Sequence, residues 1–234
     1  MKALAFKISF FESLFKVHYT KAFKLAYPTL LPTSVLGIIG NICGYDRKDI
    51  IKNLGDFYYG STYLSGEVIE ENITFIQFKK EGDKYRYGVI KSQIYNNSKH
   101  IIVVAGEEKD LREKILDKLK ILRSDLVEDT LGKWHLIKMI RYPYGGQNDF
   151  FLEEIRLLDR FIDIEDRDEI NSGYISHKLI KNMDDNTEIE LLPVRTKKGL
   201  DYFVFIKKGK VYLKEKIKTA LNIPIYKIDE FYYL

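Results

Sequence analysis

Cysteine is nearly absent. Cys43 stands alone in 234 residues, which excludes an intrachain disulfide and a cysteine-cluster zinc site and leaves a small buried apolar residue as its ordinary role. Histidine is sparse as well: His18, His100, His135 and His177 are scattered without an H-x-x-x-H spacing, so zinc-enzyme patterns are missing. Neither G-x-G-x-x-G nor G-x-x-x-x-G-K-[ST] occurs, which argues against a mononucleotide-binding enzyme. The acidic stretch 163–169 lacks the residue order of a calcium loop and reads as a solvated turn. Lys7 interrupts the apolar N-terminal stretch, and no later apolar run is long enough to span a bilayer. No metal, no cofactor and no membrane partner are therefore expected, and a reducing, cytoplasmic setting is.

What the chain does hold is apolar and aromatic. Hydrophobic residues make up 45%, ample for a core, and seventeen tyrosines and fourteen phenylalanines dominate the 14% aromatic share. The net charge is only +4, but it is unevenly spread. Lys2, Lys7, Lys16, Lys21 and Lys24 face a single acid, Glu12, in residues 1–45. An anionic partner near the N-terminal region is one reading; a solvated lysine face is the other.

Pro28 to Gly44 organises the rest. Val35, Ile38, Ile39 and Ile42 have the spacing of a buried helical stripe. Pro32, Thr33 and Ser34 supply a proline and two capping hydroxyls, and Gly44 sits where a left-handed C-terminal cap belongs. Gly37, Gly40 and Gly44 fall on another face. Each helical glycine is unfavourable by about 1 kcal/mol relative to alanine, so something should need a close backbone approach: helix-on-sheet packing, or a phosphate-bearing ligand near the helix start.

Around this helix, residues 2–10 alternate as a half-buried strand, and a basic, aromatic loop precedes the helix. A short helix should run from Asp46 to Leu54. Residues 73–80 and 85–95 flank Glu81, Gly82, Asp83 and Lys84 as a hairpin, and residues 100–106 form a strand buried on both faces. A helix is predicted over 107–122 and a strand over 134–142. This gives strand, helix, strand, strand, helix, strand, the order of ferredoxin-like and RNA-recognition-motif folds. The turn-rich stretch 142–148 is the predicted boundary, dividing an N-terminal domain, 1–145, from a smaller β-rich domain, 146–234. There a helix is predicted over 151–162, strands over 174–180, 187–192, 202–207 and 210–213, and a helix over 214–221. The fold class is thus α+β. Residues 198–205 match an RNA-binding strand signature only in part, because Leu200 and Asp201 break it, and read as a plain strand.

Two kinds of chemistry remain open from the residues. Metal-free RNA cleavage needs a base for the 2′-hydroxyl and a cation for the phosphate, for which His18 with Lys16, Tyr19 and Lys21, or Lys99 with His100, would serve. The commoner role of such residues is structural. Aromatics beside basic residues, as at Tyr58 and Tyr59, at Tyr85, Arg86 and Tyr87, and from Phe15 to Tyr19, suit single-stranded RNA, whose bases stack while lysine and arginine hold phosphates. The same aromatics could simply pack a sheet.

The first strand, the basic loop, and Tyr27, Pro28, Pro32, Thr33, Ser34, Val35, Leu36, Gly37, Ile38, Ile39 and Gly40 together closely resemble the N-terminus of the fifth family of CRISPR-associated proteins, in the repeat-associated mysterious protein superfamily. Ile94, Tyr95 and Asn96, the predicted helix at 107–122, and Leu131, Gly132 and Lys133 resemble later landmarks, so the resemblance covers most of residues 3–140. It implies a non-catalytic RNA-binding subunit of a type I effector complex (Cascade), holding the 5′ handle of the CRISPR RNA and capping the row of backbone subunits. It also implies a ferredoxin-like core, a thumb within 56–100, and contact with the large subunit. By position, Lys16, His18, Tyr19, Lys21, Lys24, Ser34 and Gly37 line the handle site, with Tyr58, Tyr59 and Arg86 in the thumb. The isolated chain is expected to be a monomer exposing an aromatic patch. A metal-independent endoribonuclease that cuts repeat RNA, and an interaction subunit without RNA affinity, are the alternatives.

Overall fold

The computed structural model describes residues 1–17, 23–77, 86–146 and 150–231, with backbone only at 73–77 and 86–87. β1 spans Lys2–Ser13, and the two-residue β2 is Phe23–Lys24. Leu4, Phe6, Ile8 and Phe10 of β1 are all buried, as their alternation predicts, and Ala3 and Ala5 on the other face are buried too. α1 spans Pro32–Ile42 and α2 spans Arg47–Leu54. The predicted stripe of Val35, Ile38, Ile39 and Ile42 is buried in the same cluster as Leu4 and Phe6, so α1 covers that side of β1.

β3, Tyr58–Gln77, and β4, Arg86–Gly106, form one long antiparallel hairpin, paired from Tyr58 opposite Ala105 out to Gln77 opposite Arg86. The predicted connecting turn, 81–84, lies outside the described residues. Residues 101–105 are buried, Ile102 and Val104 in the cluster under α1 and Ile101, Val103 and Ala105 in a second cluster on the opposite face, which is the burial on both faces expected of that apolar run.

The predicted helix at 107–122 is shorter. α3 spans Glu108–Lys114, and a single 3-10 turn, Leu116–Lys118, follows. Ile115 leaves helical geometry at φ −123° and ψ −67° while its side chain stays buried. The chain then turns into β5, Ile121–Asp129, which pairs with β6, Gly132–Ile137. β6 is also shorter than the predicted strand.

The predicted helix at 151–162 is instead β7, Leu152–Leu158, lying between β1 and β6. The pattern of Leu152, Ile155, Leu157 and Leu158 suits a helix stripe as well as a strand covered on both faces, and the two neighbouring strands decide the outcome. β8 is Ile162–Asp163. The predicted acidic turn forms β9, Glu165–Ile170. β10, Tyr174–Ser176, β11, Ile180–Met183, β12, Glu188–Thr196, and β13, Gly199–Lys208, follow. The predicted helix at 214–221 belongs to β14, Val211–Ala220, which pairs with β9 and β11 on its two sides. β15, Ile223–Pro224, and β16, Tyr226–Lys227, close the chain.

The structure is mixed but strand-dominated. The main sheet runs β16-β3-β4-β1-β7-β6-β5, with β2 on β4 and β8 on β1. Smaller sheets run β10-β13-β12 and β11-β14-β15. β7, β8 and β16 return to the sheet that β1 begins, and the largest core cluster joins Leu4 and Phe6 to Tyr174 and Phe205. Residues on either side of position 145 therefore share one sheet and one core.

Candidate nucleic-acid interface

The basic segment after β1 is a two-stranded ribbon. The Val17 amide donates to the Leu25 carbonyl at 2.8 Å, the Tyr27 amide donates to the Phe15 carbonyl at 2.7 Å, and Lys16 bridges Ala26. Phe15, Val17, Ala26 and Tyr27 turn inward and are buried. Lys16 is exposed and Lys24 half-buried, and no ion pair ties either to a described residue. β2 docks the ribbon in parallel on β4 at Lys91 and Ser92. His18, Tyr19 and Lys21 lie outside the described residues.

The turn into α1 is pinned by buried groups. Tyr27 stacks on Phe205 with ring centroids 5.4 Å apart and donates its hydroxyl to the Pro193 carbonyl at 2.7 Å. Thr29 Oγ1 lies 2.9 Å from Ser61 Oγ and 3.3 Å from His100 Nδ1, and Ser61 donates to the Leu30 carbonyl. α1 starts at Pro32 with Leu31 as its N-cap and no side-chain cap. The expected capping by Thr33 or Ser34 is not realised; the Ser34 and Val35 amides instead bond the Leu31 carbonyl, at 2.9 and 3.1 Å. Thr33 and Ser34 are half-exposed.

The three glycines have different reasons. A Cβ at Gly40 would lie 2.7 Å from Ile50 Cγ1, so this glycine lets α2 pack against α1. Gly44 has φ +77°, the left-handed geometry expected at that end. Gly37 is exposed with nothing within 4 Å of where a Cβ would sit. Only Gly37 lacks an internal structural reason.

Several aromatic and histidine expectations meet a different geometry. Tyr59 is 0% exposed and donates its hydroxyl to the Leu54 carbonyl, so its ring has no free face for a base. Tyr58 is half-buried, with the Lys218 and Lys227 ammonium groups 5.2 and 5.3 Å from its ring centroid. Sequence reading missed both lysines, because the strand carrying Lys218 has the composition of a helix. Arg86 begins β4 at the outer end of the hairpin, with its backbone alone described.

His100 is fully buried among the rings of Phe10, Phe15 and Tyr63, at 6.0, 6.2 and 5.8 Å. Burial lowers its pKa to about 3, so the ring is neutral, and its Nε2 has no hydrogen-bond partner. Lys99 is its chain neighbour but projects from the other face of the strand into solvent. The expected Lys99–His100 pair is therefore not assembled, and His100 is out of reach of a substrate. Cys43 is likewise buried, its thiol pushed up to about 12 by burial. Among the described residues no three metal-ligating side chains converge, and no helix is long and apolar enough to cross a membrane.

No family model and no curated protein matches the sequence. Among solved structures, the chain is similar to a chain of a "CRISPR RNA-guided surveillance complex", with a TM-score of 0.48 and 11% identity, covering 94% of this chain and 91% of that one. It is also similar to a chain of the type III-B Cmr-beta complex bound to cognate target RNA and AMPPnP. There the TM-score is 0.40 and the identity 9%, with 91% of this chain and 86% of that one covered.

Proposed function

We propose that this chain is a non-catalytic RNA-binding subunit of a CRISPR effector complex of the Cascade kind, which holds the 5′ handle of the CRISPR RNA and caps the backbone subunits. The observation that carries the reading is the junction of the lysine ribbon with α1. The segment Tyr27 to Gly40, where the sequence resemblance is most specific, follows directly on a ribbon that turns Lys16 outward and carries the half-buried Lys24. It leads into a helix whose first turns present Ser34 and a bare Gly37. Lysines neutralise phosphates, a hydroxyl bonds their oxygens, and a glycine lets the sugar-phosphate backbone come close.

The core strands support the accompanying fold assignment. The order β7-β1-β4-β3, antiparallel throughout, with α1 and α2 between β1 and β3 and α3, β5 and β6 between β4 and β7, supports a ferredoxin-like reading. We read the outer half of the β3–β4 hairpin as the expected thumb. Withdrawal of His100 into the core favours binding over cleavage.

Titrating labelled repeat-derived handle RNA onto the purified chain in EDTA tests the assignment. The expected result is binding that weakens steeply with salt and leaves the RNA intact. Cleavage in EDTA would favour the endoribonuclease, and absence of binding at low salt would refute the RNA role.

A further inference from the structure

The face of the main sheet turned away from α1 is covered at one end only. Near the start of β1, Ala3 and Ala5 pack in one cluster with Ala220, Ile223 and Ile225. At the other end three aromatic rings stand in solvent: Phe11 at 64% exposure, Phe151 at 50% and Tyr144 at 49%. Alternation turns the first two to the same side. Phe10 pairs with Leu152 and both are buried on the α1 side, so the next residues outward, Phe11 and Phe151, turn to the open side. The Tyr144 ring lies 5.2 Å from that of Phe151.

On the same sheet lies a depression of about 580 Å³, within the size range of small-molecule sites, whose polar lining is Lys7, Ser9, Lys99, Glu153, Glu154 and Arg156, the last two paired with each other at 2.8 Å. Lys7 is already tied to Asp129 at 2.8 Å. Ser9 Oγ donates to Glu153 Oε2 at 3.2 Å, which leaves that carboxylate able to accept further bonds. Lys99, paired across the ladder with Ser9, is exposed and has no ion pair with a described residue. Among the described residues, flat aromatic rings near a cation without an ion pair, Lys99, and a carboxylate not taken up by an arginine, Glu153, suit the parts of a nucleotide: a base face, a phosphate, and the amino edge of the base.

We propose that this face is a stacking platform for unpaired RNA bases, with Phe11, Phe151 and Tyr144 against base faces and Lys99 on the adjoining phosphate. The proposal rests on the chain being an RNA binder. It assigns a second contact region, across the sheet from Ser34 and Gly37, whose residues the handle site does not include.

The test uses single-stranded RNA carrying 2-aminopurine, titrated onto the full chain, a Phe11→Ala/Phe151→Ala variant, a Phe11→Tyr variant and a Lys99→Gln variant. Wild type is expected to quench the fluorophore on binding. The double alanine variant, whose exposed substitutions leave the melting temperature unchanged, is expected to lose that quenching and bind about 5-fold or more weakly at an unaltered salt slope. Phe11→Tyr retains the ring and both signals, whereas Lys99→Gln lowers the salt slope by about 0.7. Undiminished affinity and quenching in the double variant, with wild type binding RNA, would overturn the platform alone. Loss of association with other effector subunits at undiminished RNA affinity would overturn it in favour of a protein interface. Failure of wild type to bind any RNA would bring down the RNA role and the platform together.

Discussion

β1 and β4 run side by side through two different environments. At one end, where Ala3 and Ala5 lie near Val103 and Ala105, both faces are covered and the side chains are small or apolar. At the other end, where Ser9 meets Lys99, one face still packs against the core while the other opens to solvent with Phe11, Lys99 and Glu153. Side chains that look reactive in the sequence, Tyr59 and His100, belong to the covered regions and are spent on packing and internal hydrogen bonds. Groups able to meet a ligand begin where the cover stops. The difference teaches that the face a residue takes, and where along the strand that face loses its cover, separates structure from interaction in this sheet more than residue type does.

The contrast can be broken most directly by truncation. Tyr59→Ala removes a fully buried ring and is expected to destabilise the chain by about 3–5 kcal/mol, whereas Phe11→Ala is expected to change stability by less than about 0.5 kcal/mol. Urea unfolding of the two variants measures both, and similar losses would erase the distinction. His100 sharpens the boundary through pH. Its pKa is lowered from 6.5 to about 3 in the fold, so the unfolded chain binds the extra proton between those values. Its contribution is intact above pH 6.5 and lost as pH falls toward 3. His100→Phe is expected to flatten that part of the stability–pH curve, and an unchanged curve would mean that the ring is accessible to water.

Two glycines give a smaller but opposed pair. Gly66 has φ +148°, and a Cβ there would lie 2.9 Å from Ser98 Cα, so Gly66→Ala is expected to destabilise by about 1–3 kcal/mol. Gly37 has open space, and Gly37→Ala is expected to stabilise α1 by up to about 1 kcal/mol while weakening handle binding. Calorimetric melting and RNA titration read the two effects separately. A Gly37→Ala variant that bound RNA as wild type does would remove this glycine from the proposed interface.

The sequence announced some of this and concealed the rest for physical reasons. β1, α1 and the inner part of β4 were legible because their burial periods, 2, 3.6 and continuous, are unambiguous. Residues 107–122 misled because Leu111, Ile115, Leu119 and Leu122 keep helical spacing across a break, and only the pairing of Ile121 and Leu122 with β6 turns the chain into a strand. Residues 151–162 and 214–221 failed similarly, since long-range pairing overrode local pattern. The concentration of lysines before α1 was legible from charge, but its pairing into a ribbon was not, because the segment has no clear period and reads as a loop. Burial of Tyr59 and His100 was not, because alternation tells which face a residue takes and not what covers that face. Phe10 and Phe11 did carry a readable signal: in a strand, adjacent rings point to opposite sides, so only one of them could enter the core that α1 covers.

The most direct measurement of the central claim is the salt dependence of handle-RNA affinity for wild type and for a Lys16→Gln/Lys21→Gln/Lys24→Gln variant. If the ribbon holds phosphates, the variant's affinity falls and the slope of log K against log salt shrinks by about 2, from roughly 0.7 per phosphate contact on a single strand. An unchanged affinity and slope would contradict the placement of the RNA at this junction.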